Sequence, residues 1–289
     1  MASLKDLKER IDSIKSTRQI TSAMKMVAAA KLQKAQQNIL NARPYANDIN
    51  RMLTSLVTHN SQDNSPFLRQ IDTDDPKAIC IITVTSDKGL CGAFNSNIIR
   101  KTEELISKNT NKKIDLICIG KKSWKYFGKH RPKLVKHKIV DLFNKVEFFH
   151  SRDVMKMVAK SFVDKEYEQV LIIYNEFKSA IQQDIIVEQL LPILRIEENK
   201  NDDFVASYLM EQQPAELIDE LIEKNIDVQI WKVLLESYSS EQGARMTAME
   251  AATDNADDMI KELTLIFHHK RQENITTEII EVSSAVEAQ

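Results

Sequence analysis

The sequence predicts an α/β fold of unusual outline: a long antiparallel coiled coil made by the two ends of the chain, with a central βαβ, Rossmann-like domain between them. Three observations lead there. The five glycines lie between Gly89 and Gly243, so both ends lack the residue that most readily breaks a helix. Both ends carry apolar residues in alternating steps of three and four. The middle alternates short β-branched apolar runs with helical stretches.

At the N-terminus, Ser3 followed by Asp6 offers a cap, and Leu4, Leu7, Ile11 and Ile14 begin a seam. The same register resumes with Ala28, Leu32, Ala35, Ile39 and Ala42. Between them it falls on Arg18, Thr21 and Lys25, while apolar character moves over to Ile20, Met24 and Val27. Pro44 predicts a kink or break after Arg43, with helix resuming through Ile49, Met52, Leu53 and Leu56. Residues 1–58 form this first arm, and the polar, two-proline stretch 59–76 reads as an exposed linker.

The central domain spans 77–208. Strands are expected at 78–84, 114–119 and 170–174, buried on both faces, with weaker ones at 134–140 and 185–191. Helices are expected at 95–109, 121–129 and 151–165, and the βαβ order implies a mostly parallel sheet. Residues 209–289 form the second arm. Pro214 and Glu216 suit a first helical turn. From Val228 and Trp231 through Leu235, Tyr238, Gln242, Arg245, Met249, Ala252, Ala256, Met259 and Leu263 to Ile266, the three-four alternation never fails. If residues 213–285 form one helix it is roughly 110 Å long at about 1.5 Å per residue, too long to be buried within its own fold.

Composition narrows the function. The 289 residues carry a net charge of −2, which gives no basic footprint for a nucleic-acid binder. No apolar run reaches the ~18 residues of a membrane span, and the start Met1-Ala2-Ser3-Leu4-Lys5-Asp6 has no signal or transit character. A soluble protein, made where it works, is expected. Cys80, Cys91 and Cys118 have no metal-ligand spacing and read as buried thiols in a reducing compartment. The charge is divided: residues 1–60 hold ten Lys/Arg and four Asp/Glu, residues 211–289 six and seventeen, so the arms are complementary.

Few positions could support chemistry. The loop Ser86-Asp87-Lys88-Gly89-Leu90-Cys91-Gly92 follows the first strand and opens a helix, where backbone N–H groups can meet a phosphate, yet it fits neither the dinucleotide fingerprint nor the P-loop. A tight turn with close helix–sheet packing is the alternative. His268 and His269 are adjacent and cannot share a helix face, which speaks against a metal pair. No nucleophile, base, metal set or cofactor site is nominated, so catalytic, cofactor and metal residues are all expected to be absent.

Several segments carry a resemblance. Residues 11–31, Ile-Asp-Ser-Ile-Lys-Ser-Thr-Arg-Gln-Ile-Thr-Ser-Ala-Met-Lys-Met-Val-Ala-Ala-Ala-Lys, resemble the N-terminal signature of the γ subunits of rotary ATP synthases. Residues 85–95, 240–249 and 251–256, then Lys270-Arg271-Gln272 and Ile275-Thr276-Thr277-Glu278, resemble further motifs of that family in the same order. The resemblance implies a central rotor, itself non-catalytic and without cofactors, whose coil turns inside a ring of three α and three β subunits. Its foot would join the membrane-embedded c ring and the ε subunit, and ion flow would turn it. It further implies a peripheral place on the cytoplasmic face of a bacterial inner membrane. By motif position Met24, Lys25, Arg245, Arg271 and Gln272 would contact the α/β ring, and Tyr208 and Glu211 the c ring and ε subunit. Lys15, Arg18 and Lys34 either face an acidic β-subunit segment or are ordinary solvated charges. Gln212 stands where the family usually has proline, His268-His269 replaces a common Tyr-Asn, and the regulatory disulfide insert of chloroplast relatives is missing. Two other readings remain open: an enzyme binding phosphate at the Asp87–Gly92 loop, and a free-standing coiled-coil scaffold.

Overall fold

The computed structural model describes residues 3–59, 65–68, 76–144, 146–193 and 214–287. Helix α1 runs Leu4–His59 and helix α5 Pro214–Glu287, 56 and 74 residues long. They lie antiparallel. Ser3 and Asp6 cap α1 reciprocally: the Asp6 N–H donates to Ser3 Oγ at 3.2 Å and the Ser3 N–H to Asp6 Oδ2 at 2.9 Å. Pro44 does not break the helix. Arg43, Ala46, Ile49 and Leu53 on either side of it are all held by the core or by α5, so tertiary packing offsets the missing backbone bond.

Between the arms lie β1 (Ala78–Val84), α2 (Phe94–Lys108), β2 (Lys113–Ile119), α3 (Lys121–His130), β3 (Val135–Ile139), α4 (Phe148–Val163), β4 (Gln169–Phe177) and β5 (Gln183–Leu191). The sheet order is β3-β2-β1-β4-β5. The first four strands are parallel; β5 returns antiparallel beside β4, joined by a short hairpin. Within β1, Cys80, Ile81 and Ile82 are wholly buried because helices cover both faces. One face packs Ile82, Ile117 and Ile172 against Val154, Val158 and Phe162 of α4 and Ile222, Ile226, Ile230 and Leu234 of α5. The other packs Ile79, Ile81 and Leu116 against Ile98 and Ile106 of α2 and Phe127 of α3. Each such side chain contributes about 1.5–3 kcal/mol when fully buried.

Within residues 65–68, expected to belong to an exposed linker, Ser65, Phe67 and Leu68 are buried and only Pro66 is exposed. Pro66–Leu68 form a single 3-10 turn whose Phe67 and Leu68 are buried, with the Phe67 ring 6.2 Å from that of Phe162. Two apolar side chains in a polar stretch had a core to reach. The three cysteines are free and buried, and burial pushes each thiol above its ordinary pKa, which leaves them poor nucleophiles.

Candidate functional site: the seam, the joint and the tip

The apolar seam holds α1 to α5 through Leu7 and Ile11 at one end and Ala28, Leu32, Ala35 and Ile39 at the other. Between them it turns polar. Thr21 Oγ1 and Thr253 Oγ1 are hydrogen-bonded at 2.8 Å, flanked by Arg18 on Asp257 and Lys25 on Glu250, both at 2.5 Å. These are the register positions where the sequence shifts its stripe. The displaced apolar residues point outward: Ile20 is 60%, Met26 67% and Val27 56% exposed, with Met24 half-buried. Over this stretch the coil is polar inside and apolar outside. The ion pairs are partly exposed and worth about 0–1 kcal/mol each, so the segment is held in register more than it is stabilised.

Closer to the foot, α5 is buried on every face from Val233 to Leu235 and onward through Arg245, apart from a half-buried Tyr238. Two glutamates make the joint. Glu236 is fully buried; its Oε1 accepts from Arg43 Nη2 of α1 at 2.8 Å and its Oε2 from the Phe177 N–H at the end of β4 at 3.0 Å. One carboxylate thereby ties both arms to the sheet. Ser240 Oγ donates to the Asn175 carbonyl at 3.0 Å. Gly243 lies so close to the β4–β5 hairpin that a Cβ there would meet the Ala180 carbonyl oxygen at 3.2 Å.

The second glutamate meets the glycine loop. Glu241 Oε1 accepts from Arg245 Nη1 at 2.6 Å, and Arg245 Nη2 donates to the Gly89 carbonyl at 3.1 Å. Burial raises the Glu241 pKa, and the Arg245 guanidinium opposes that rise. A pocket with room for about one water, close to 30 Å³, is lined by Lys31, Asp87, Glu241 and Arg245 among others. The loop itself is tightly internal: Ser86 Oγ donates to the Lys88 carbonyl at 2.6 Å, and Asp87 Oδ1 accepts the N–H groups of Lys121 and Asp141, each at 3.0 Å. Leu90 and Gly92 turn it with φ of 63° and 56°. In open α/β sheets the crevice beyond the carboxyl ends of the strands is where a ligand sits. Here α5 occupies it. The loop is the tight turn of the packing reading, and the phosphate-enzyme reading loses its site.

Arg245 is thus engaged within the chain. Arg271 and Gln272 lie elsewhere, at the start of a stretch, 271–286, that is exposed on every side. The antiparallel pairing, carried down from Thr21 and Thr253, ends near Leu4, so α5 runs on alone for roughly 24 Å at about 1.5 Å per residue. Ile275, Ile279, Ile280, Val282 and Val286 all lie open along it. His268 and His269 are both exposed and share no ligand geometry. Tyr208 and Glu211 fall outside the described residues. Sequence reasoning missed Glu236 with its partner Arg43, and also Gly120, where φ is 95° and a Cβ would stand 2.0 Å from the Thr85 carbonyl oxygen. A lone glycine directly after a strand was the available signal for the latter.

A two-helix rod locked into an α/β foot, with its ligand crevice filled by the rod, defines a shaft protein: a class built to transmit position. Comparison with known proteins specifies which. The family model described as ATP synthase matches residues 3–289. An "ATP synthase gamma chain" of Geobacter metallireducens is 42% identical over 290 residues, covering 100% of this chain and 99% of its own. That of Bdellovibrio bacteriovorus is 40% identical over 296 residues, again with 100% and 99% coverage. Among solved structures, a chain from the central stalk and c-ring of Tetrahymena thermophila mitochondrial ATP synthase is 30% identical with a TM-score of 0.63, covering 81% of this chain and 99% of that one. A chain of the Euglena gracilis enzyme matches in fold, with a TM-score of 0.71 at 19% identity, covering 99% of this chain and 94% of that one. The chain belongs to the ATP synthase gamma-chain family, the central-stalk subunit of that complex. Among the described residues no helix is long and apolar enough to cross a membrane.

Proposed function

We propose that this chain is the non-catalytic rotor of its ATP synthase, one copy turning within three α and three β subunits and carrying ion-driven rotation of the c ring to the catalytic β sites. The observation that supports this best is the apolar exterior of a polar-seamed coil, Ile20, Met26 and Val27, continued by the exposed Ile275, Ile279, Ile280, Val282 and Val286 of the lone tip. Exposed apolar surface of this extent requires a sleeve. A sleeve of chemically identical subunits meets a different face of the shaft at each angle, which biases them into different states. Met24, Lys25, Arg271 and Gln272 contact the sleeve in this reading, whereas Arg245 holds the shaft to the glycine loop. The foot, through Tyr208 and Glu211, meets the c ring and ε subunit on the cytoplasmic face of a bacterial inner membrane.

The test is co-expression with the cognate α and β subunits, followed by size-exclusion chromatography and an ATPase assay. One copy of this chain per complex is expected, with turnover that depends on it and falls in the Arg271→Ala, Gln272→Ala double variant. Separate elution with no effect on turnover would overturn the rotor reading.

A further inference from the structure

Beyond the shaft, the most unusual surface is the outer edge of the foot. Residues 121–138 hold seven lysines, Arg131 and two histidines, and no Asp or Glu. Lys121, Lys125 and Lys129 step by four along one face of α3, and the series continues through Lys133 into the edge strand β3, whose Lys136 and Lys138 are exposed. Like charges four apart weaken a helix, so the stripe opposes the fold that bears it.

Part of this charge has a local explanation. Lys121 pairs with Asp141 at 2.6 Å, Arg131 with Glu103 at 3.1 Å, and Lys138 lies 4.1 Å from the centre of the Trp124 ring. Cations at a helix C-terminus offset its dipole, which accounts for Lys129. Lysines on an edge strand also deter edge-to-edge pairing, which accounts for β3. Lys125 and Lys133 are exposed, fit none of these roles and, like Lys129, have no ion-pair partner among the described residues.

Topology says where this edge points. The parallel strands end at the glycine loop that grips α5, so the joint and the rod lie toward their carboxyl ends. The turn from Lys129 to Lys133 lies at the opposite end, where β3 begins. In the rotor reading that end faces the membrane, and an anionic leaflet attracts each cation near it. We propose that the α3–β3 edge makes an electrostatic contact with the anionic headgroups of a lipid bilayer, using Lys125, Lys129 and Lys133. The orientation rests on the rotor reading, but the contact is measured without any other subunit. Its failure is therefore distinguishable from failure to assemble with α and β.

The full-length chain is floated with vesicles of phosphatidylcholine alone and of phosphatidylcholine with phosphatidylglycerol in equal parts, at low salt. Binding only to the anionic vesicles is expected. It should weaken roughly a hundredfold in the triple variant Lys125→Ala, Lys129→Ala, Lys133→Ala, at about one stabilising increment per cation, and fall steeply with added salt. Circular dichroism shows whether the variant is folded, and all three positions are exposed. Three results overturn the proposal: no binding to anionic vesicles, equal binding to both kinds, or binding that the triple variant retains, since the last two assign it to the apolar tip. Capture of a poly-glutamate peptide without capture of vesicles also overturns it, in favour of an acidic protein partner.

Discussion

Two stretches of one helix are nearly opposites. Between Val233 and Arg245, α5 is enclosed almost without interruption, and its polar residues Glu236, Ser239, Ser240, Glu241 and Arg245 are bonded to the sheet, to α1, to the glycine loop or within the helix. Between residues 271 and 286 it is exposed throughout, its isoleucines and valines included. The joint places polar groups inside and bonds most of them, Ser237 Oγ and Glu241 Oε2 being the exceptions; the tip places apolar groups outside and leaves them. A single amphipathic stripe would describe neither. The difference teaches that this helix is finished at one end by its own chain and at the other only by a partner.

The comparison breaks most severely where the joint's backbone is perturbed. Gly120→Ala places a Cβ against the Thr85 carbonyl in a left-handed conformation and is expected to cost about 3–4 kcal/mol, read as a lower denaturant midpoint. Glu236→Ala leaves Arg43 and the Phe177 N–H without their acceptor and should cost about 2–3 kcal/mol, with Glu236→Gln costing less.

Glu241 sharpens the picture through pH. Its pKa is raised by burial, so the native state binds a proton more readily than the unfolded one, and the ionised carboxylate lowers stability at neutral pH. That cost is relieved as pH falls through the raised native pKa. The stability of Glu241→Gln relative to the parent should therefore be highest above that pKa and decline below it, as urea titrations at several pH values would show. In the seam, Lys25→Ala removes a partly exposed pair and should change stability by less than about 1 kcal/mol. At the tip, Ile279→Ser with Ile280→Ser should stay within about 0.5 kcal/mol of the parent while weakening association with the α/β ring; a large loss of stability there would end the contrast.

The sequence was most legible where one physical rule governs a stretch. β1 and β2 are β-branched runs covered on both faces, and all of their predicted positions are strand. The long arms were legible from steps of three and four. Pro44 misled because a local rule was overridden by packing on α5. The stripe shift at Arg18, Thr21 and Lys25 was visible, but its meaning needed the register that sets them opposite Asp257, Thr253 and Glu250, more than two hundred residues away. Likewise nothing local marks Glu236 as buried, since a glutamate on a helix is ordinarily solvated. The glycine loop was legible as a turn; that Arg245 closes it was not.

The lone tip bears on stiffness. Where two helices run side by side and are cross-linked at Arg18, Thr21 and Lys25, a twist applied at the foot must shear both strands of the rod together. Past Leu4 there is one strand, and a single helix yields to bending and torsion far more readily than a pair. Compliance is therefore concentrated in the last sixteen or so residues, about four to five turns of helix. Foot and paired coil are the stiffer part of the shaft, and a torque taken up at the tip twists the slender end first.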